Sequence, residues 1–180
     1  LDTSFGLNGY FLLTNNSKLW DLSKIIENPD GSILLSTAII NGTNQTENIV
    51  LKLNNNGNID TSFGTNGYQT INTIIDNGLA IKKQVDNKLV FFGGQNNSKL
   101  TRLLPNGQLD STFGNNGEIY LSGVSSDFSF CNSNILLQND KIIVIYRLNG
   151  SSTKTIARYN SNGTLDTSFG QNGLINNVNA

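Results

Sequence analysis

LDTSFGLNGY, residues 1–10, opens the chain, and the phrase returns as IDTSFGTNGY at 59–68, LDSTFGNNGE at 109–118 and LDTSFGQNGL at 165–174. Its Asp stands at positions 2, 60, 110 and 166, which sets intervals of 58, 50 and 56 residues. An irregular period of about 50 to 60 residues suits a propeller-type array of sheets better than a tight solenoid coil. Each internal copy also follows a similar passage: NIVLKLNNNGNID at 48–60, SKLTRLLPNGQLD at 98–110 and KTIARYNSNGTLD at 154–166. The repeated unit is therefore larger than the phrase.

Each passage reads as a strand, a tight turn at NNNG, LPNG or NSNG, and a short returning strand. Asn-Gly alone suggests a two-residue type I′ loop. Pro105, however, stands where a type I turn prefers its first central residue, leaving Gly107 to take the left-handed position. A three-residue loop with a Gly bulge is expected. In that register Lys52 lies opposite Asp60, Arg102 opposite Asp110 and Arg158 opposite Asp166, while Leu53, Leu103 and Tyr159 face Ile59, Leu109 and Leu165. A two-residue loop would slip these pairs and lose the charge match in every copy.

Away from the turn both faces of the strand are apolar, as Val50, Leu51, Leu100, Leu103 and Ile156 illustrate. A sheet with one wet face alternates cleanly, so these strands read as covered on both sides. A further hairpin precedes each one: SKIIENPDGSILLSTAII with a Pro-Asp-Gly turn, AIKKQVDNKLVFFGG, and NILLQNDKIIVIYRL. No stretch shows helical periodicity. The fold expected is all-β, a propeller-like array of about three four-stranded antiparallel blades forming half or part of a closed propeller. The repeat divides the chain into 1–10 as the last strand of an incomplete blade, blades at 11–68, 69–118 and 119–174, and a tail at 175–180. Asn, at 30 of 180 residues, gathers at the turns, where it tolerates left-handed backbone.

Composition narrows function mainly by exclusion. The formal charge is −1, and the 12 Lys and Arg are scattered rather than clustered, which argues against a nucleic-acid partner. The longest apolar runs, such as KIIVIY at 141–146, fall far short of the roughly 20 residues of a membrane-spanning helix. No basic-then-apolar leader stands at the start, so compartment must be argued indirectly. His is absent and Cys131 is the single Cys, which removes intrachain disulfides, His and Cys zinc sites and His-based triads. Cys131 lies in the apolar context FSFCNSNILL and reads as a small buried residue.

The pattern of basic residue, three residues, Asn-Gly, one residue, Leu-Asp, two hydroxyl residues and Phe-Gly resembles the delta-60 type repeat. Residues 158–173, RYNSNGTLDTSFGQNG, are the closest copy, and the passage NPDGSILLS at 28–36 belongs to the same resemblance. That resemblance implies a β-propeller of a secreted or cell-surface bacterial protein, with no catalytic residues to carry over. This chain departs from the pattern at Lys52, which replaces Arg, at Ser111-Thr112, which inverts Thr-Ser, and across 119–130. Three full units plus an unpaired opening motif are too few for a closed ring of about four or more blades. Two copies forming a homodimer, or further blades of a longer array, would complete it. The opening strand, left as an edge, is expected to pair with another chain or with the C-terminal end.

The recurring residues, Asp2, Phe5, Lys52, Asp60, Phe63, Arg102, Asp110, Phe113, Arg158, Asp166 and Phe169, read as a structural motif: cross-strand ion pairs and core plugs between neighbouring units. No catalytic, metal or cofactor-binding residue is assigned. No Asp-x-Asp-x-Asp run suggests a calcium loop. Paired carboxylates for glycoside cleavage would have to come from Glu27, Asp30, Glu47, Glu118 and Asp127, which no spacing brings together. Binding sites on repeat scaffolds lie in what does not repeat. Here that means NNSKLWDL at 15–22, NGTNQTEN at 41–48 and IYLSGVSSDF at 119–128, with Trp20 and Tyr120 the candidate contacts for a protein or carbohydrate ligand. The function expected is a non-enzymatic adhesion, display or interaction scaffold, with a lectin-like module as the alternative and a polysaccharide-cleaving enzyme third.

Overall fold

The computed structural model describes residues 1–13, 18–40, 46–71, 80–93, 98–124 and 135–178, and the regular elements among them are all β-strands. In chain order these are β1 (Lys18–Glu27), β2 (Ile33–Ile40), β3 (Thr46–Leu53), β4 (Tyr68–Ile71), β5 (Ala80–Lys83), β6 (Leu89–Gly93), β7 (Lys99–Leu103), β8 (Glu118–Tyr120), β9 (Ile135–Gln138), β10 (Lys141–Arg147), β11 (Lys154–Tyr159) and β12 (Leu174–Val178). They form three four-stranded sheets, each antiparallel and each in serial order: β1 to β4, β5 to β8 and β9 to β12. A serial antiparallel sheet of four is the blade of a propeller.

Turn chemistry explains the hairpins. At 28–32 the Gly31 N–H donates to the Asn28 carbonyl (2.9 Å) and the Asn28 N–H to the Ser32 carbonyl (2.8 Å), with Gly31 at φ +77°. The β5–β6 turn repeats this with Asn87 at φ +64° in the glycine's place, since Asn adopts left-handed backbone more readily than most residues. The β9–β10 turn is different: Asn139 and Asp140 both have positive φ between the paired Gln138 and Lys141, the two-residue type I′ form. After β3, β7 and β11 comes the three-residue loop with Gly57, Gly107 or Gly163 left-handed, closed by the bridges Leu53–Ile59, Leu103–Leu109 and Tyr159–Leu165.

One expectation is corrected here. The phrase LDTSFG is not a strand that closes a blade, and Leu1–Tyr10 is a succession of turns with a single Leu7–Tyr10 bridge. The closing strands β4, β8 and β12 begin after the following Asn-Gly, so cuts at 68, 118 and 174 fall within or at the edge of them. The reason is local: the Asp side chain accepts the N–H two residues on and bends the backbone before a ladder can form.

The chain divides into two compact units, Leu1–Leu79 with Asn106–Gln108, and Ala80–Pro105 with Leu109–Ala180. The first has a core of Leu35, Ile49, Leu51 and Leu53, with Phe5, Phe11, Ile59 and Tyr68 packed on it. The second is built on Val90, Phe92, Leu100, Phe113, Ile142, Val144 and Ala157, with Ile119, Leu165 and Leu174 against it. In that second unit β6 and β7 are buried along their whole length, so both faces are covered.

Candidate functional site: a recurrent turn seat and an exposed tyrosine

Every copy of the phrase builds the same turn. Asp Oδ1 accepts from the N–H and the hydroxyl two residues on: Ser4 to Asp2 (2.9 and 2.6 Å), Ser62 to Asp60 (3.1 and 2.5 Å), Thr112 to Asp110 (3.1 and 2.6 Å) and Ser168 to Asp166 (3.2 and 2.7 Å). The inverted Ser111-Thr112 therefore changes nothing essential, because the hydroxyl is required only at the second position. The Phe carbonyl then accepts from the Gly three residues beyond the motif Gly, as in Gly67 to Phe63 and Gly117 to Phe113, both 2.8 Å.

The second carboxylate oxygen takes the cation. Asp60 Oδ2 meets Lys52 Nζ at 2.9 Å, Asp110 Oδ2 meets Arg102 Nε at 2.9 Å, and Asp166 Oδ2 meets Arg158 Nε at 2.7 Å. A second cation joins in two copies: Lys88 Nζ lies 3.5 Å from Asp110 and Lys141 Nζ 2.6 Å from Asp166. These lysines do not stand out in the sequence. Their only signal is that each directly follows the outer hairpin turn, in DNKLV and NDKII, where the first blade has Ser32 in DGSIL.

All of these carboxyls ionise more readily than usual. Burial pushes Asp110 up, but hydrogen bonds from Thr112 and the charges of Arg102 and Lys88 outweigh it. Asp166 is held well below the carboxylate range by Lys141 first, then by Ser168 and Arg158. Asp60 is lowered by Ser62 and Lys52, and Asp2 by Ser4 alone. The recurring Asp is thus a fixed anion with both oxygens engaged wherever its strand supplies a cation.

Phe-Gly, the end of the phrase, seats another hairpin's turn in the copies ending at Gly6, Gly64 and Gly114. In the first unit the Gly6 N–H donates to the Asn56 carbonyl and the Gly64 N–H to the Asn106 carbonyl, both 2.7 Å. In the second, the Gly114 N–H donates to the Asn162 carbonyl at 3.2 Å. The turn glycine lies flat on the Phe ring: a Cβ on Gly107 would come within 2.9 Å of Phe63, and one on Gly163 within 3.0 Å of Phe113. Only a residue without a side chain fits that approach. The Arg102 guanidinium lies over the Phe113 ring at 4.4 Å from its centroid, and Arg102 Nη1 donates to the Ser161 carbonyl inside the seated turn. Phe63 and Phe113 are fully buried as a result. Phe169, under the Arg158 guanidinium at 4.5 Å, remains half-buried.

Of the two candidate ligand contacts, Tyr120 is 61% exposed at the end of β8. Its hydroxyl donates to Glu118 Oε2 (2.8 Å), Lys99 Nζ reaches Glu118 Oε1 (2.5 Å), and the same ammonium lies 5.5 Å from the ring centroid. Glu118 pushes the tyrosine hydroxyl up. Trp20 falls in β1 where the register with β2 shifts between Leu19 and Asp21, and its side chain lies outside the described residues. So do Cys131, Asp127 and most of the non-repeating stretches 15–22, 41–48 and 119–128. Asp30 is engaged in its own turn, donating nothing and accepting from Ser32 at 2.9 and 2.6 Å. Among the described residues no group of three or more His, Cys, Asp or Glu could hold a metal ion, and no helix is long and apolar enough to cross a membrane.

Serial four-stranded antiparallel sheets, each carrying a cation–Asp turn, define a β-propeller-type repeat protein. The chain belongs to the family described as a domain of unknown function (DUF5122) beta-propeller, whose model matches residues 28–63, 84–113 and 138–169, together more than half of its length. Each matched segment opens on an outer hairpin turn and closes on a motif phenylalanine, Phe63, Phe113 or Phe169. Comparison with curated proteins finds none that matches.

Proposed function

We propose that the chain is a non-enzymatic propeller module of the delta-60 repeat type, part of a secreted or cell-surface bacterial protein, serving as an adhesion, display or protein-interaction scaffold. The observation that carries this reading is the fate of the recurring polar groups. Asp110 and Asp166 have both oxygens committed to turn hydroxyls and cations, which leaves these two copies of the phrase with structure to hold and no free carboxylate. Two copies, or further blades of a longer array, would complete a ring. Antibodies against the chain should label intact producing cells or find it in the medium, and labelling only after lysis would overturn the surface role. Assays on polysaccharide substrates should give no turnover, whereas turnover abolished by Asp110→Asn would overturn the non-enzymatic reading.

The exposed Tyr120 favours a second reading, a carbohydrate-binding module, because an aromatic face beside hydrogen-bonding groups suits a sugar ring. A glycan array tests it: binding lost on Tyr120→Ala supports it, and an array blank for the wild type removes it.

A further inference from the structure

Asn-Gly builds most of the turns of this chain and is also its least durable pair of residues. Glycine has no side chain to shield its backbone nitrogen, so that nitrogen, after giving up its proton to solvent, can attack the side-chain Cγ of the preceding Asn. The N–Cγ bond forms, the Cγ–Nδ2 bond breaks and ammonia leaves. Water then opens the cyclic imide at one of its two carbonyls, giving Asp or isoaspartate. The attack requires a glycine N–H without an acceptor, an Asn side chain free to swing onto it, and a peptide with room to rotate.

The sequence holds ten Asn-Gly pairs, eight of them among the described residues. The fold withdraws six outright. Gly9, Gly67, Gly117 and Gly173 each donate to the motif Phe carbonyl at 2.8 Å, and Gly57 and Gly163 donate to the Asn three residues back at 3.0 and 2.9 Å. The Gly107 N–H has no acceptor among the described residues, but its peptide is locked by other means. Asn106 Oδ1 accepts from the Gln108 N–H at 3.1 Å, the Asn106 carbonyl holds the Gly64 N–H at 2.7 Å, and a Cβ on Gly107 would come within 2.6 Å of the Gly64 nitrogen. That peptide rotates only if the seated turn is lifted off.

Asn149–Gly150 escapes every one of these restraints. It lies between β10 and β11, where the Ser151 N–H donates to the Leu148 carbonyl at 3.0 Å and Gly150 takes φ +74°, the arrangement of a type II turn. Both residues are exposed, and a Cβ on Gly150 would meet nothing within 4 Å. Among the described residues the Gly150 N–H has no acceptor and the Asn149 side chain no partner. The Asn149 N–H donates to the Gly123 carbonyl at 2.8 Å, on the far side of its Cα from the attacking peptide.

We propose that Asn149 is the deamidation site of the folded chain, the Gly150 nitrogen being the nucleophile, and that the turns of the repeat protect the other seven described Asn-Gly pairs. Conversion adds one negative charge to a chain of formal charge −1, and isoaspartate also lengthens the backbone of the 148–151 turn by one carbon. The full chain is aged in mildly alkaline buffer, folded and in urea, and each site is followed by peptide mapping with mass spectrometry and by the ammonia released. In the folded chain Asn149 should convert roughly fivefold or more faster than any of the other seven, each of which must first open a bonded or seated turn. In urea the eight should react at similar rates. Gly150→Ala, whose methyl shields the nitrogen and strikes nothing, should slow Asn149 several-fold in the folded chain. Another of the seven keeping pace with Asn149 in the folded chain, a lead that survives unchanged in urea, or a rate indifferent to Gly150→Ala each overturns the assignment.

Discussion

The Asp110 and Asp2 copies of the phrase share their turn and little else. Both aspartates cap a serine or threonine two residues on, with nearly the same distances. Asp110 is then buried against Arg102, with Lys88 beside it, and its Phe113 meets both the Arg102 guanidinium and the seated Gly163. Asp2 is exposed, and the leucines around it face solvent. The difference separates what six residues can do alone from what they do only when a strand stands behind them. The turn is local, whereas the ion pair, the ring stacking and the burial come from the sheet.

Breaking the buried copy should cost most. Arg102→Ala leaves the Asp110 carboxylate buried and, because Lys88 stands only at 3.5 Å, largely uncompensated. The unfolding free energy should drop by about 3–5 kcal/mol in urea titration. Gly163→Ala comes next, at about 3 kcal/mol, because a left-handed Ala is strained and its Cβ would strike Ile119 at 2.7 Å and Phe113 at 3.0 Å. Gly150→Ala is its control, equally left-handed at φ +74° but with nothing within 4 Å, and should cost only about 1 kcal/mol by the same measurement.

Acid sharpens the comparison in another way. Asp110 and Asp166 titrate below their unfolded value, so the folded chain binds fewer protons than the unfolded one as pH falls from about 5 towards 2. Their stabilisation is present above the unfolded pKa and lost as pH falls through the folded one. The urea midpoint should decline over that window, and Asp110→Asn should flatten the decline. Lys52→Ala should have the smallest effect, under about 1 kcal/mol, since its pair with Asp60 is about one-fifth exposed on both sides and solvent screens it.

Much of the fold could be read from residues alone. Pro105 and Gly107 specify the three-residue loop, and that loop places Asp110 opposite Arg102, where its N–H donates to the Arg102 carbonyl at 2.9 Å. The outer hairpins were equally plain from Pro29-Asp30-Gly31, Asp86-Asn87 and Asn139-Asp140 between apolar runs. The closing strand was not, because alternation in LDTSFG imitates a strand while the Asp side chain makes it a turn. Nor could the turn seat be found, for it joins Gly64 to Asn106 and Gly114 to Asn162, residues more than forty apart whose glycines each have a sufficient local explanation. Lys88 and Lys141 were missed for a similar reason, a single lysine after a turn being ordinary on any surface.

The claim that the phrase exists to seat a turn is tested most directly by a double-mutant cycle. Phe113→Ala and Gly163→Ala alter two groups that touch, so the Ala methyl should find room once the ring is gone. The account predicts that the double variant is more stable than the sum of the single losses by roughly 1 kcal/mol or more, while Phe169→Ala with Gly163→Ala adds within about 0.5 kcal/mol. Additive losses at both pairs would contradict it.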